Sequence, residues 1–257
     1  MSEIEFIIFI VGLIAGMINS IAGGGSFLSF PALVFAGLPP IIANATNTFA
    51  ATAGYFSGAY AFRNEIRAEK VNLVYLAIAA FSGGIFGALL LMNTSNAAFE
   101  KIVPWLMAVA TFLFIFGNKL NLWLAAYARG MKLGESIKNE KGLYALMFLS
   151  SFYGGYFNAG QGIIILAFLV LLAYQNIHFM NGIKLTVSAL AGLIAIGIFI
   201  YEGAINFHFG LIMLVGNLLG GYLSAHISRF INPLYIRWCV IIASIGITLY
   251  FFYDVYF

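Results

Sequence analysis

The stretch Met17–Thr48, MINSIAGGGSFLSFPALVFAGLPPIIANATNT, constrains the fold more than any other. It is apolar enough to lie in a bilayer, yet it is broken at Gly23-Gly24-Gly25 and again at Gly37-Leu38-Pro39-Pro40. Lipid offers free N–H and C=O groups no partner, so broken backbone at membrane depth is tolerated only inside protein or along a watery cavity. The piece between the breaks is too short to span, and Asn44-Ala45-Thr46-Asn47-Thr48 then sets amides and hydroxyls on the next apolar run. Broken helices beside polar residues point to a transporter's binding site.

The remaining chain fits that environment. It is 63% hydrophobic and 8% charged over 257 residues, against about 25% charged in soluble domains. Apolar runs of bilayer length recur throughout, which predicts an all-α membrane protein without a soluble domain. The spans expected are Ile4–Ala22, Ile41–Phe62, Val71–Met92, Ile102–Trp123, Gly142–Asn158, Phe179–Tyr201, Phe209–Ala225 and Leu234–Tyr253. Short helices are expected at Ser26–Ala36 and Ile163–Ala173, with charged loops at Arg63–Lys70 and roughly Ala125–Lys141. The N-terminus lacks the basic segment of a signal peptide, so the first span is expected to be retained.

Lysine and arginine placement sets the expected orientation. Arg63, Arg67, Lys70, Lys119, Arg129, Lys132, Lys138 and Lys141 follow even-numbered spans; only Lys101, Arg229 and Arg237 follow odd-numbered ones. Both termini are therefore expected in the cytoplasm. The net charge of +3 is too small to suggest a nucleic-acid surface, and the lone Cys239 rules out an internal disulfide or a thiolate metal cluster. Neither a cofactor nor a metal is expected.

The chain also resembles itself. Ala22-Gly23-Gly24-Gly25 aligns with Ala159-Gly160-Gln161-Gly162, a shift of 137 that carries Asn44 onto Asn181 and Asn47 onto Lys184. The repeated order is span, glycine break, short helix, loop, and a span with an early polar cluster. Two parallel four-helix pseudo-repeats follow, 1–123 and 142–257, each with a Gly-broken first helix, joined by a basic cytoplasmic linker at 124–141.

Glycine permits the sharp bend, and the helix that restarts after it presents unpaired N–H groups and a positive dipole end suited to an anion. Ser26 and Ser29 could each cap the first short helix. Pro31 falls in its first turn if it begins near Leu28. Lys184 lies about one and a half turns into the sixth span, far in sequence from other cations. An intramembrane ammonium usually faces a cavity or a partner. The acids all fall in loops or near span ends, so the interior is neutral to positive. That suits an anion and leaves no carboxylate relay. Trp105, Trp123 and Trp238 lie close to span ends, as an interfacial belt requires.

The expected substrate site therefore comprises Gly23, Gly24, Gly25, Ser26, Asn44, Asn47, Thr48, Asn158, Gly160, Gln161, Gly162 and Lys184. The expected partners are a small anionic solute and the bilayer, with a homo-oligomer left open. An intramembrane serine hydrolase is the enzyme alternative, since Ser26, Ser57 and Ser82 neighbour glycines, but no G-x-S-x-G, H-E-x-x-H or Walker motif is present. A passive channel or structural membrane subunit is the other.

At Gly16-Met17-Ile18-Asn19-Ser20-Ile21-Ala22-Gly23-Gly24-Gly25, Pro31-Ala32-Leu33 and Ala45-Thr46-Asn47-Thr48 the chain resembles the TauE/SafE family of sulfite and sulfonate exporters, in its YfcA-like branch. In the second half the likeness rests on Phe152-Tyr153-Gly154-Gly155-Tyr156-Phe157-Asn158-Ala159-Gly160-Gln161-Gly162 and Lys184-Leu185. Gly154-Gly155 replaces an acidic residue common in relatives, and Thr48 replaces a lysine. The resemblance implies a duplicated four-plus-four carrier that moves sulfur-containing or small organic anions across the bacterial inner membrane.

Overall fold

A computed structural model describes residues 2–21, 24–68, 71–130, 140–172, 174, 176–227 and 233–257. Gly23, Lys70, Lys132, Lys138 and Arg229 lie outside the described residues, as do the side chains of Arg129, His226 and Arg237. Among the described residues the chain is all helix, with eleven helices and no strand. We number them α1 (Glu3–Ile21), α2 (Ser26–Phe35), α3 (Pro40–Ala61), α4 (Arg63–Ala68), α5 (Leu73–Met92), α6 (Asn96–Gly130), α7 (Glu140–Tyr156), α8 (Gln161–Leu171), α9 (Ile177–Tyr201), α10 (Phe207–Ile227) and α11 (Pro233–Tyr256).

Local chemistry sets many of these ends. Asn72 and Asn176 cap α5 and α9 by accepting from the second and third N–H groups that follow them. Gly37 (φ +90°) and Gly203 (φ +66°) end α2 and α9 in left-handed turns, with Leu38 N–H returning to Leu33 O and Ala204 N–H to Phe199 O. Pro39 precedes α3 and Pro40 opens it, where a missing N–H costs nothing.

Several boundaries differ from the sequence reading. The charged segment after α3 is not wholly loop, because Arg63–Ala68 forms a turn and a half of helix from good helix formers. Helix α6 starts earlier than expected and runs to Gly130, continuing through Pro104 and Gly117. Helix α2 begins at Ser26 with Gly25 as its cap, so neither Ser26 nor Ser29 caps it and Pro31 sits beyond the first turn.

Among the described residues four helical segments are long and apolar enough to cross a membrane: Leu73–Met92, Asn96–Gly117, Ile177–Tyr201 and Trp238–Tyr256. Ser26–Phe35, Gln161–Leu171 and Phe207–Gly221 are apolar but shorter. The exterior is apolar too, with Val74, Phe86, Phe112, Ile242 and Leu249 more than half exposed. Polar Asn44, Thr46, Asn47, Ser151, Asn158, Gln161, Asn217 and Ser244 are buried instead. That inversion suits a lipid solvent.

Helix α1 packs along α10, α5 along α7, α3 along α9, and α6 along α11. The first two seams are built on glycine. A Cβ on Gly12 or Gly16 would strike the carbonyl of Met213 or Asn217, and one on Gly216 or Gly220 that of Phe9 or Leu13. In the second seam Gly83 and Gly87 lie against the carbonyls of Phe148 and Phe152, and Gly155 against that of Gly84. Small residues let backbones meet this closely where lipid supplies no hydrophobic drive. On the α6–α11 seam the hydroxyls of Thr111 and Thr248 meet at 3.2 Å, buried, and 137 residues apart.

Candidate functional site

The two breaks meet in space. Asn19, Gly24 and Ser26 from the first, and Asn158, Gly160 and Gly162 from the second, line one cavity. Tyr55 from α3 and Lys184 and Ser188 from α9 close it, and Ile163, Leu166 and Leu185 give it an apolar wall. Its free room of about 30 Å³ takes a water-sized guest.

Each break is held by its own bonds. At the first, Gly24 takes φ +96°, where only glycine is at ease. The Gly25 N–H then donates to Asn19 Oδ1 (2.8 Å), which ties the last turn of α1 to the start of α2. Phe27 N–H donates to Gly24 O at 3.0 Å. At the second break Gly160 takes φ +84° as the cap of α8. Tyr153 O–H donates to Ala159 O (2.8 Å), and Gln161 N–H donates back to Asn158 O (3.2 Å). Ile163 and Ile164 both donate to Gly160 O. The first turn of α8 thus faces the cavity through Gly162.

Lys184 supplies the charge. Its stem lies over α8, where a Cβ on Gly162 would stand 3.1 Å from Lys184 Cδ. Its Nζ donates to Asn181 Oδ1 at 3.0 Å, one turn earlier on α9. No carboxylate among the described residues is seen to pair with it; Glu5, at the start of α1, pairs instead with His208 at 2.9 Å. Among the described residues the cavity is therefore lined by an ammonium, several hydroxyls and amides, and two helix starts, with no acid.

Of the expected site residues, Gly24, Ser26, Asn158, Gly160, Gly162 and Lys184 line this cavity, and Gly25 lies directly behind it through Asn19. Asn44, Asn47 and Thr48 do not line it. Asn47 Oδ1 accepts from Ser29 O–H (2.5 Å), Asn44 Nδ2 donates to Tyr156 O (2.9 Å), and Thr48 O–H donates to Asn44 O. The two asparagines fasten α3 to α2 and to the end of α7, while the Thr48 bond stays within α3. Gln161 is 3% exposed, its side chain is packed against Gly154, and its Nε2 has no hydrogen-bond partner.

The sequence reading left out Asn19, Tyr55 and Ser188. Tyr55 O–H donates to Asn158 Oδ1 at 3.0 Å, bridging α3 to the second break. Its signal was positional: with Thr48 and Thr52 it forms one i, i+4, i+7 face of α3.

An apolar helical bundle with two broken helices meeting at one small polar cavity has the build of a membrane transporter. The chain belongs to the sulfite exporter TauE/SafE family, whose model matches residues 8–251. It is similar to a probable membrane transporter protein of Haemophilus influenzae, 29% identical over 253 residues that cover 96% of this chain and 94% of that one. It is likewise similar to the probable membrane transporter protein YfcA of Escherichia coli, 29% identical over 96% of this chain and 89% of the other. The probable membrane transporter protein ORF9 of a Sinorhizobium species is 30% identical over 94% of this chain and 90% of its own length. No solved structure gives a significant match. The protein is thus a membrane transporter, and the hydrolase alternative lapses with that membership.

Proposed function

We propose that this protein carries small anions of the sulfite or organosulfonate type across the inner membrane, by alternating access between two four-helix repeats. The carrying observation is Lys184: an ammonium on a cavity between two broken helices, with no carboxylate paired to it among the described residues. A cation there would meet like charge; an anion meets opposite charge and preoriented donors. In the state described, the cavity's room is water-sized. An organosulfonate enters only if a side chain moves aside, and the Lys184 arm over Gly162 has the reach.

The reading of two repeats draws support from the helix pairings. Shifting by 137 exchanges α1 with α7, α2 with α8, α3 with α9, α5 with α10 and α6 with α11. Under that exchange the α1–α10 seam becomes the α7–α5 seam, while α3–α9 and α6–α11 map onto themselves. The Thr111–Thr248 bond joins two equivalent positions, as contacts on a two-fold axis do. Eight crossings follow, with α2 and α8 as short pieces between them. The segments 1–123 and 142–257 are the two repeats and 124–141 the linker.

The anion reading is tested in liposomes holding the purified protein. Saturable counterflow is expected with sulfite, thiosulfate, taurine or sulfoacetate and not with a carboxylate control. Non-saturable flux would favour the passive channel. For orientation, alkaline phosphatase fused after Lys132 should be inactive, because that segment is expected in the cytoplasm. A strongly active fusion would reverse the topology.

A further inference from the structure

We infer that the two repeats are inverted with respect to each other, and that both termini lie outside the cytoplasm, on the face opposite the 124–141 linker. Inversion replaces the parallel repeats and the cytoplasmic termini expected from the sequence. A two-fold axis along the membrane normal relates helices that run the same way, whereas one in the membrane plane relates helices that run oppositely. Helix α6 and its repeat mate α11 run oppositely. Trp105 Nε1–H donates to the Tyr256 hydroxyl (3.0 Å), that hydroxyl donates to Lys101 O (2.9 Å), and Thr111 meets Thr248. So do α3 and α9, where Thr52 abuts Gly192, Gly58 abuts Leu185 and Phe62 abuts Gly182. Both seams that pair a helix with its own mate therefore require the in-plane axis.

The short helices supply the change of parity. Glu5 pairs with His208, and Asn206 N–H donates to Thr46 Oγ1 (3.0 Å), so α1, α3 and α10 all begin toward one face. Asn19 and Tyr55, further along α1 and α3, reach the same cavity. Helices α1 and α3 thus run the same way, and α2 carries the chain back between them. In the second half, Leu143, Leu172 and Phe179 share a buried cluster with Ile66 and Leu76. That cluster marks the other face, where α7 and α9 both begin and to which α8 returns. The eight long helices keep their number, but each half ends on the face opposite to its start.

Charge then orients the molecule. Arg63, Arg67 and Lys141 sit at helix ends on the linker face. Helix α10 leaves the terminal face at His208 and α11 comes back to it at Tyr256, so the ends that they join lie on the linker face as well. By sequence Arg229 belongs to that connection and Arg237 to the opening turns of α11. The terminal face carries Lys101 with Glu3, Glu5, Glu100, Glu202 and Asp254. Lysine and arginine collect on the cytoplasmic side, which sets the linker inside and the termini outside. Two similar halves facing opposite ways can trade conformations, and that trade opens a cavity between them to the other side.

Cysteine labelling of the full chain, on a Cys239→Ser background, tests the arrangement. Glu202 and Lys141 are exposed and lie just beyond α9 and at the start of α7. In intact cells a membrane-impermeant maleimide should label Glu202→Cys and leave Lys141→Cys unlabelled until the cells are permeabilised. Parallel repeats put both positions in the cytoplasm, so protection of both overturns the inversion, as does labelling of both. Labelling of Lys141→Cys alone would keep the inversion and overturn the orientation. Asp254→Cys and Arg67→Cys form a second exposed pair, expected labelled and protected respectively, should a variant of the first pair fail to accumulate. The readout does not involve transport, so its failure leaves the anion-carrier reading standing.

Discussion

Lys184→Ala should abolish anion counterflow while leaving the protein inserted and folded. Among the described residues the ammonium is the sole charge lining the cavity, and hydrogen bonds to a charged group contribute about 1.5–3 kcal/mol net. Losing it should therefore cost roughly tenfold to a hundredfold in affinity, and flux at ordinary substrate levels falls with it. Lys184→Met separates charge from packing, because it keeps most of the stem that covers Gly162 and removes only the charged end. Transport should be lost in both variants, with gel-filtration profiles like wild type. Normal counterflow kinetics in either would show that the anion does not bind here.

The second large effect belongs to a glycine that touches no solute. Gly87→Leu should destabilise the bundle severely, because a Cβ there runs into the Phe152 carbonyl and stands 2.8 Å from Tyr156 N. Neither neighbour is a flexible side chain that can step aside. Overpacking of this kind costs about 1–3 kcal/mol, and more when backbone must move. Helix α7 also leads directly into the second break, so a displaced seam carries Asn158 and Gly160 out of register. Gly197→Ala and Gly246→Ala are the contrast: a Cβ at either meets nothing within 4 Å. Both lie inside helices, where alanine is better than glycine by about 0.5–1 kcal/mol. Melting in detergent should place Gly87→Leu well below wild type and the two alanine variants at or slightly above it. Equal melting of all four proteins would mean the α5–α7 seam is looser than its backbone contacts imply.

Much of this was readable without coordinates. Lys184 stood out because a cation inside an apolar run needs a reason, and the glycines stood out because a bilayer forbids casual breaks. The amides of α3 sit apart from the cavity despite their local density. Asn44 and Asn47 are as polar as site residues, yet helical phase turns them toward α7 and α2, where each makes one bond to the protein, and Thr48 bonds back to Asn44 O within α3. That phase depends on which neighbour the helix meets, and no local pattern records it. Asn19 was hidden for a related reason: it precedes the break, and becomes a cavity residue only because the chain folds back onto it. Tyr55 lies two turns past the polar cluster and finds Asn158 from 103 residues away. The extent of α6 was missed because polar residues were read as loop, although leucines, alanines and a tryptophan continue the helix to Gly130.

The glycine seam between α1 and α10 carries a consequence for how the chain is made. Gly12 and Gly16 leave the ribosome well before their partners Met213 and Asn217. Helix α1 must therefore wait, its small-residue stripe unmatched, until the chain between it and α10 has been translated. Contacts this distant in sequence close late, and species awaiting them are exposed to wrong pairings. Translation order thus makes α1, made well before α10, one of the last of these helices to find its place.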